Sequence, residues 1–417
     1  MKNSIREFFE EIRKLDRIQK IYILIFGFTP IIDSLNGFLL KSGISGGLSI
    51  GKIYRLITII FIAVIWIKNT PSWSNVKKII IIALGLSVTV IIQLVFGITK
   101  GSIVSETMNI AQWIMMPIIF FSFIDIKDKE VIGINCIYKI MDIWRVVTPL
   151  TIVVPYILGI GYATYHDTGY KAFYYSTNAI TYFLIILFLF DMGELIKNVT
   201  KFNIIKTVLT AFSLIMLGTK SGYAFMIAII LGTAFLKYRK DFKKGISRIL
   251  IISVIMLLVV IVLIKLFPEQ FTKIFSRHLY FLQQSDSFLS FITTRRSDRI
   301  PVYFSYIQHS GNYVLRVLFG SGYTLANKLG AIEMDYFDAL FMFGVFGISI
   351  IIWNTIYIFK NRNKLKNDLV LVAYFITIIF SMLGGHIWSN SLSSTCFAIV
   401  CCMLVSERKV IPICVDN

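Results

Sequence analysis

The sequence predicts an all-α polytopic membrane protein of about twelve transmembrane helices, with one large extracytoplasmic loop late in the chain. Three observations predict it. The 417 residues are 56% hydrophobic and 16% charged, where a soluble domain carries about 45–50% apolar and about 25% charged residues. The apolar residues gather in runs of roughly 20, enough to cross about 30 Å of hydrocarbon at about 1.5 Å per residue. Between the runs sit short connectors, and the basic ones alternate with the less basic ones, which is the pattern of positive-inside topology.

The opening stretch, MKNSIREFFEEIRKLDRIQK, is charged and too long before the first apolar run for a cleaved signal peptide. It suits a short amphipathic helix on the membrane surface. Spans are then expected near residues 20–40, 53–67, 79–98, 108–125, 143–161, 173–196, 204–218, 222–237 and 249–267, and after the loop near 336–359, 369–386 and 392–405. The chain thus divides into 1–267, 268–335 and 336–417. The connectors KNTPSWSNVKK, DIKDKE, KNVTKFNIIK, KYRKDFKKGISR and KNRNKLKND share a side with both termini, expected to be cytoplasmic. KSGISGGLSIGK, TKGSIVSE, GYATYHDTGYK, GTKSG, the loop and GGHIWSNS fall opposite. All four histidines, His166, His278, His309 and His386, lie in or beside these outer connectors.

Composition also excludes some classes. A net charge of +19 would suit nucleic acid, but the cations form neither a patch nor an arm, so nucleic acid is not expected as a partner. The five cysteines include none in the loop and no CxxC pair, so neither a disulfide framework nor a metal site is read from them. They read as small apolar residues in lipid-facing or packed helices.

Polar residues inside spans are costly, about 2.5–3.5 kcal/mol for a charge at mid-bilayer, and usually face a cavity or a partner. Asp33 and Asn36 stand late in the first run, Asn178 in the sixth, and Lys220 in the tight GTKSG turn. For Lys220 a phosphate-bearing ligand and simple snorkelling to the interface are both open. For Asp33 and Asn36, capping or kinking of the helix end is the expectation, beside a cavity-facing role.

The segment from Pro268 to about Asp338 is the one long stretch too polar for lipid, and it holds Arg295, Arg296, Arg299, Arg316, His278, His309, Asp298, Glu333, Asp335 and Asp338. SFLSFI and YVLRVLF are too short to span and suit re-entrant or interfacial helices. In RRSDRIPVYFSYIQ, Ser297 or Asp298 can cap a helix with Pro301 in its first turn. Arg295, Arg296 and Arg299 then cluster at a helix N-terminus. Guanidiniums beside that dipole favour a pyrophosphate, although a basic loop also suits lipid head groups or acidic side chains. Glu333, Asp335 and Asp338 follow at the start of the next span. Carboxylates there stabilise the dipole, or, beside arginines, take a proton from a hydroxyl nucleophile.

In this order the motifs resemble the bacterial O-antigen and capsule repeat-unit polymerases of the Wzy type, and more distantly the O-antigen ligases. The recurring elements are an arginine opening a helix, here Arg299 in RIPVYF, and a phenylalanine-glycine-x-glycine turn, here Phe319 to Gly322. An acidic motif follows, Glu333-Met334-Asp335, and then a glycine-x-x-glycine, Gly344 to Gly347. Glu333 takes the place where the ligases carry histidine. Lys220 matches an arginine of many relatives, and Asn178 resembles their serine-x-asparagine span.

The resemblance implies a fold of the metal-independent GT-C type of lipid-sugar glycosyltransferase in the bacterial inner membrane. Donor and acceptor would be lipid-linked oligosaccharides on polyprenyl pyrophosphate. Membrane lipids, a chain-length regulator and a flippase would be its partners, and no cofactor is implied. Arg295, Arg296, Arg299 and Lys220 would hold the pyrophosphate. Glu333, with or without Asp335, would be the general base, with His278 or His309 as a fallback and Asp338 in the substrate site. Direct single displacement would invert the anomeric centre. The alternatives are a ligase, against which Glu333 speaks, and a flippase of lipid-linked glycans. A flippase would be expected to show internal repeats, and none is visible.

Overall fold

The computed structural model describes residues 10–43, 49–99, 103–165, 168–238, 268–363 and 368–406, and the single positions 247, 261 and 265. Most of the expected span over 249–267 and of the basic connector before it, and the ends of the chain, lie outside the described residues. Every other expected span is helical. Among the described residues, eight stretches are long and apolar enough to cross a membrane: Arg17–Lys41, Ile50–Lys68, Trp73–Val95, Ile103–Asp128, Ile134–Ile157, Thr177–Lys197, Lys220–Lys237 and Asp335–Lys360. Three more, Lys201–Leu217, Asp368–Leu383 and Ser391–Val405, are shorter, at 17, 16 and 15 residues.

The first span is two helices, α1 (Arg17–Gly27) and α2 (Thr29–Lys41), broken at Phe28. Pro30 causes the break, because it has no N–H for the Phe26 carbonyl four residues back. In a bilayer that carbonyl needs another donor, and the Trp144 indole N–H supplies it at 2.8 Å. The next spans start on side-chain caps. Ser49 accepts from Lys52 N at the head of α3 (Ile50–Lys68), and Ser72 from Asn75 N at the head of α4 (Trp73–Val95). α5 (Ile103–Asp128) and α6 (Ile134–Ile157) follow.

α7 (Thr177–Lys197) is the central helix, with residues Ala179 to Leu189 almost wholly enclosed. It packs on α6, on α8 (Lys201–Leu217), on α9 (Lys220–Tyr238), and on α16 (Asp368–Leu383) and α17 (Ser391–Val405). α3 and α4 instead turn rows of Ile and Leu outward, as lipid-facing helices do. Away from the loop, the Asp125 carboxylate ties three spans together by accepting from Trp66 Nε1, Ser72 N and Asn75 Nδ2 at 2.6–2.9 Å.

The chain is not entirely α. Ala163–Tyr165 (β1) and Thr168–Tyr170 (β2) form a short antiparallel hairpin, pairing Ala163 with Tyr170. Its short alternation of aromatic and β-branched residues lies in a connector that hydropathy reads only as polar.

The loop folds into five short helices: α10 (Pro268–Gln283), α11 (Phe288–Ile292), α12 (Arg299–Gln308), α13 (Tyr313–Phe319) and α14 (Gly322–Leu329). Both apolar pieces, SFLSFI and YVLRVLF, are thus helical, as α11 and α13. Tyr303, Ile307, Leu325, Ile332, Met334 and Phe341 form a small core that seats the loop on α15 (Asp335–Lys360).

The two glycine motifs make that seat. Gly344 interrupts α15 at φ 72°, ψ −169°, a region that essentially only glycine adopts. A Cβ there would strike the Leu318–Phe319 backbone, and one on Gly320 would strike Met342–Phe343. The two backbones therefore interlock. The carbonyls that the break frees are taken by donors from elsewhere, Phe341 O by Ser321 N at 2.8 Å and Met342 O by Gln93 Nε2 at 2.7 Å.

Candidate functional site

Two cavities meet where the loop sits on the bundle. The first, about 650 Å³, is polar. α2 and α3 contribute Asp33, Asn36, Lys52 and Arg55, α5 contributes Asn109 and Gln112, and Asn178, Glu333, Asp338 and His386 complete it. The second, about 420 Å³, is walled by Phe225, Phe281, Phe291, Phe380 and Leu383, with Lys220, Arg277, Arg296 and Arg299 among them. Tyr165, Asn178, Arg296 and Glu333 line both, so these four stand where the cavities join. An open groove of about 770 Å³ between the hairpin and α10 adjoins the second cavity at Tyr165, Arg277 and Phe281.

Glu333 is the centre of the junction. Its Oε2 accepts from Arg296 Nε (3.1 Å) and Nη2 (2.8 Å) and from Asn178 Nδ2 (3.2 Å). Burial pushes this carboxyl up, but the Arg296 guanidinium, with His386 and Arg299, outweighs it and holds the group below the usual carboxylate range. The backbone here is strained, because Glu333 and His386 both have positive φ, 64° and 63°, and strain of that kind gathers at functional sites. They are packed together: a Cβ on Gly385 would strike the Glu333 carbonyl. Burial lowers the His386 imidazole below its ordinary value, Glu333 partly reverses this, and Arg296 lowers it further. Among the described residues, the ring's one hydrogen bond is Nδ1 to Ser389 Oγ at 3.4 Å.

The structure sorts the residues singled out in the sequence. Arg296, Arg299, Lys220 and Glu333 line the second cavity, and Asp338 the first. The Arg299 guanidinium donates to the Ala331 carbonyl. The Lys220 ammonium sits 4.0 Å over the Phe291 ring and 4.8 Å over Phe281. Arg295 points away, exposed and bound to Asp298 at 3.3 Å. Asp335 faces neither cavity. It is fully buried, accepting from Ser381 Oγ (2.9 Å) and Ile387 N (2.8 Å), and so it fixes the loop that carries His386. Asp338 accepts from Ile332 N at 3.0 Å. His309 is exposed and bonded to its own helix at Ser305 O, 2.8 Å. His278 lies on α10, but its side chain is outside the description, as is His166 altogether. Asp298 stands at the N-cap of α12, although its side chain accepts from Ser290 Oγ and Arg295 rather than from the helix.

Arg277, Lys52, Arg55, Asn109 and Gln112 were not singled out. Arg277 stacks 3.2 Å from the Tyr165 ring. Asn109 and Gln112 did leave a signal, two amides three apart on one face of an apolar run. Arg55 and Lys52 read only as a basic helix start. Among the described residues no three His, Cys, Asp or Glu side chains could hold a metal ion.

The fold and site define a class, a multi-pass α-helical membrane protein in which a group of titratable side chains lines two adjoining cavities. No family model matches the chain, and neither does any curated protein.

Proposed function

We propose that the chain is a metal-independent membrane glycosyltransferase of the GT-C type with twelve spans. It joins polyprenyl-pyrophosphate-linked oligosaccharide repeats into a polysaccharide on the outer face of a bacterial cytoplasmic membrane, with both termini cytoplasmic. One observation carries the reading: an aromatic cavity bearing cations meets a polar cavity at a single carboxylate–arginine wall. Transfer from one lipid-linked glycan to another needs two such places and one reaction point. The second cavity takes the donor, with prenyl carbons against Phe225, Phe281 and Phe380 and pyrophosphate against Lys220, Arg277, Arg296 and Arg299. Those cations stabilise the charge that develops on the leaving group. The polar cavity takes the acceptor sugar, whose hydroxyl reaches the junction beside Glu333. The buried Asp33 carboxylate and Asn109, Gln112 and Asn178 offer it acceptors and donors.

The test is purified protein with short lipid-linked repeats, read as a ladder on a gel. A ladder that is lost in Arg296→Ala and Lys220→Ala is expected. Labelled glycan crossing vesicle membranes with no ladder would make the protein a flippase.

A further inference from the structure

We propose that His386 is the proton acceptor of the transfer, with Glu333 as the anion behind it rather than the base itself. The inference rests on the glycosyltransferase reading and names the atom at which the acceptor hydroxyl loses its proton.

Three observations carry it. The first concerns Glu333. Three donors converge on Oε2, two of them from one guanidinium, and hydrogen bonding to the charged form lowers a carboxylate's proton affinity. A group held ionised in this way is a weak base at neutral pH. The second concerns His386. It lines the polar cavity, where the acceptor would lie, and among the described residues its Nε2 has no partner. Kept neutral by its surroundings, the imidazole is ready to accept a proton near pH 7. The third is positional. The loop from Gly384 to Asn390 is fixed by the buried Asp335, which accepts from Ile387 N in the loop and is itself held by Ser381 Oγ on α16, and by Ser393 Oγ donating to the His386 carbonyl. Its Gly385 touches the Glu333 backbone. Two left-handed residues, Glu333 and His386, are thus held on backbones that pack together.

The step balances. The acceptor O–H proton passes to His386 Nε2 as the oxygen bonds to the donor's anomeric carbon. The carbon–oxygen bond to pyrophosphate breaks, and its electron pair leaves on the pyrophosphate, against Lys220 and the arginines. The imidazolium formed faces the ionised Glu333 and then releases its proton to water. Arg296 opposes that charge, and Asp338, Asp33, Arg55 and Lys52 face it across the cavity. Asp335 is therefore a positioning residue.

The test uses the full chain in lipid nanodiscs with lipid-linked repeats, across pH 4.5–8.5. Asparagine tolerates positive φ and glycine adopts it freely, so His386→Asn and His386→Gly keep the backbone. Turnover is expected to fall about 10²–10⁴-fold in both. Added imidazole is expected to restore part of it in His386→Gly, which shows that the variant folds. The wild-type rate should have an acidic limb below pH 6.5. That limb should vanish in His386→Asn and move to lower pH in Glu333→Gln, since the Glu333 charge raises the imidazole. His386→Asn within a few-fold of wild type with its acidic limb intact would overturn the assignment. Loss of activity that imidazole does not rescue would do the same. A wild-type chain that makes no ladder overturns the glycosyltransferase reading, and this one with it.

Discussion

Arg145 offers the sharpest quantitative test of the bundle that holds the site. It lies inside α6, 3% exposed, and its Nε donates to Asp191 Oδ1 at 2.6 Å, a carboxylate with 0% side-chain exposure. Its other nitrogens reach Glu194 at 2.6 Å and Asp142 at 3.2 Å, but those partners are 43% and 36% exposed. Solvent-screened pairs contribute only about 0–1 kcal/mol each, and Glu194 keeps Lys206 at 2.9 Å. The stability effect therefore lies in Asp191. Arg145→Met would leave that carboxylate buried with Thr210 Oγ1, 2.7 Å away, as its remaining hydrogen bond. Removing one partner of a buried pair costs about 3–5 kcal/mol, and Thr210 should hold the loss near the lower end. Arg145→Met/Asp191→Leu removes both charges and should recover most of it, because well-packed apolar replacements of buried ion pairs are often neutral or better.

The assay is SDS titration in mixed micelles, followed by tryptophan fluorescence and by thiol labelling of Cys136, Cys396, Cys401 and Cys402. These are free and buried in the folded chain. A single variant within about 1 kcal/mol of wild type, or a double variant no more stable than the single, would refute the argument.

Three further outcomes are expected. Gly344→Ala should lose about 1–3 kcal/mol and at least part of the proposed transferase activity, since its left-handed backbone abuts Leu318 and Phe319; unfolding and ladder rates together check this. Asp33→Asn should raise KM for the acceptor more than it lowers kcat, because the buried carboxylate lies in the polar cavity away from the junction, and acceptor titrations at saturating donor measure the split. Glu333 has a folded pKa below its ordinary value, so its contribution to stability is present above the unfolded value and lost as pH falls through the folded one, below about 4.5. Wild type should therefore lose stability over this acidic range more steeply than Glu333→Gln, as melting at stepped pH will show.

Much of the fold was legible because lipid demands a simple code. A span must be apolar for about 20 residues and satisfy its own backbone, so the helices of the described residues fall where hydropathy places them. The loop showed itself by contrast, and α11, α12 and α13 by their length and cap signals, whereas α10 and α14 left no signal that was read. The break at Phe28 was legible only in part, since Pro30 announces a lost hydrogen bond but not that Trp144 replaces it. The hairpin was not legible, because two three-residue strands carry almost no periodic signal.

The site divides along another line. Charge and motif order picked out Arg296, Arg299, Lys220 and Glu333, which do converge, but they could not separate these from Arg295 and Asp335. Arg295 and Arg296 are adjacent in the chain, yet one turns to Asp298 on the surface and the other to Glu333 in the wall. A left-handed turn at Thr294 and Arg295 decides which, and neither residue type signals it. Asp335 and Glu333 are two apart and diverge for a similar reason. Met334 is extended, so Asp335 starts the helix facing inward towards Ile387 while Glu333 stays at the cavity. His386 was hardest to find, because the role proposed for it rests on what Asp335 and Gly385 do to its loop. Side chains that bind a ligand can be read from type and spacing, but those that act through backbone placement become visible only once the donors and acceptors of the bundle are paired.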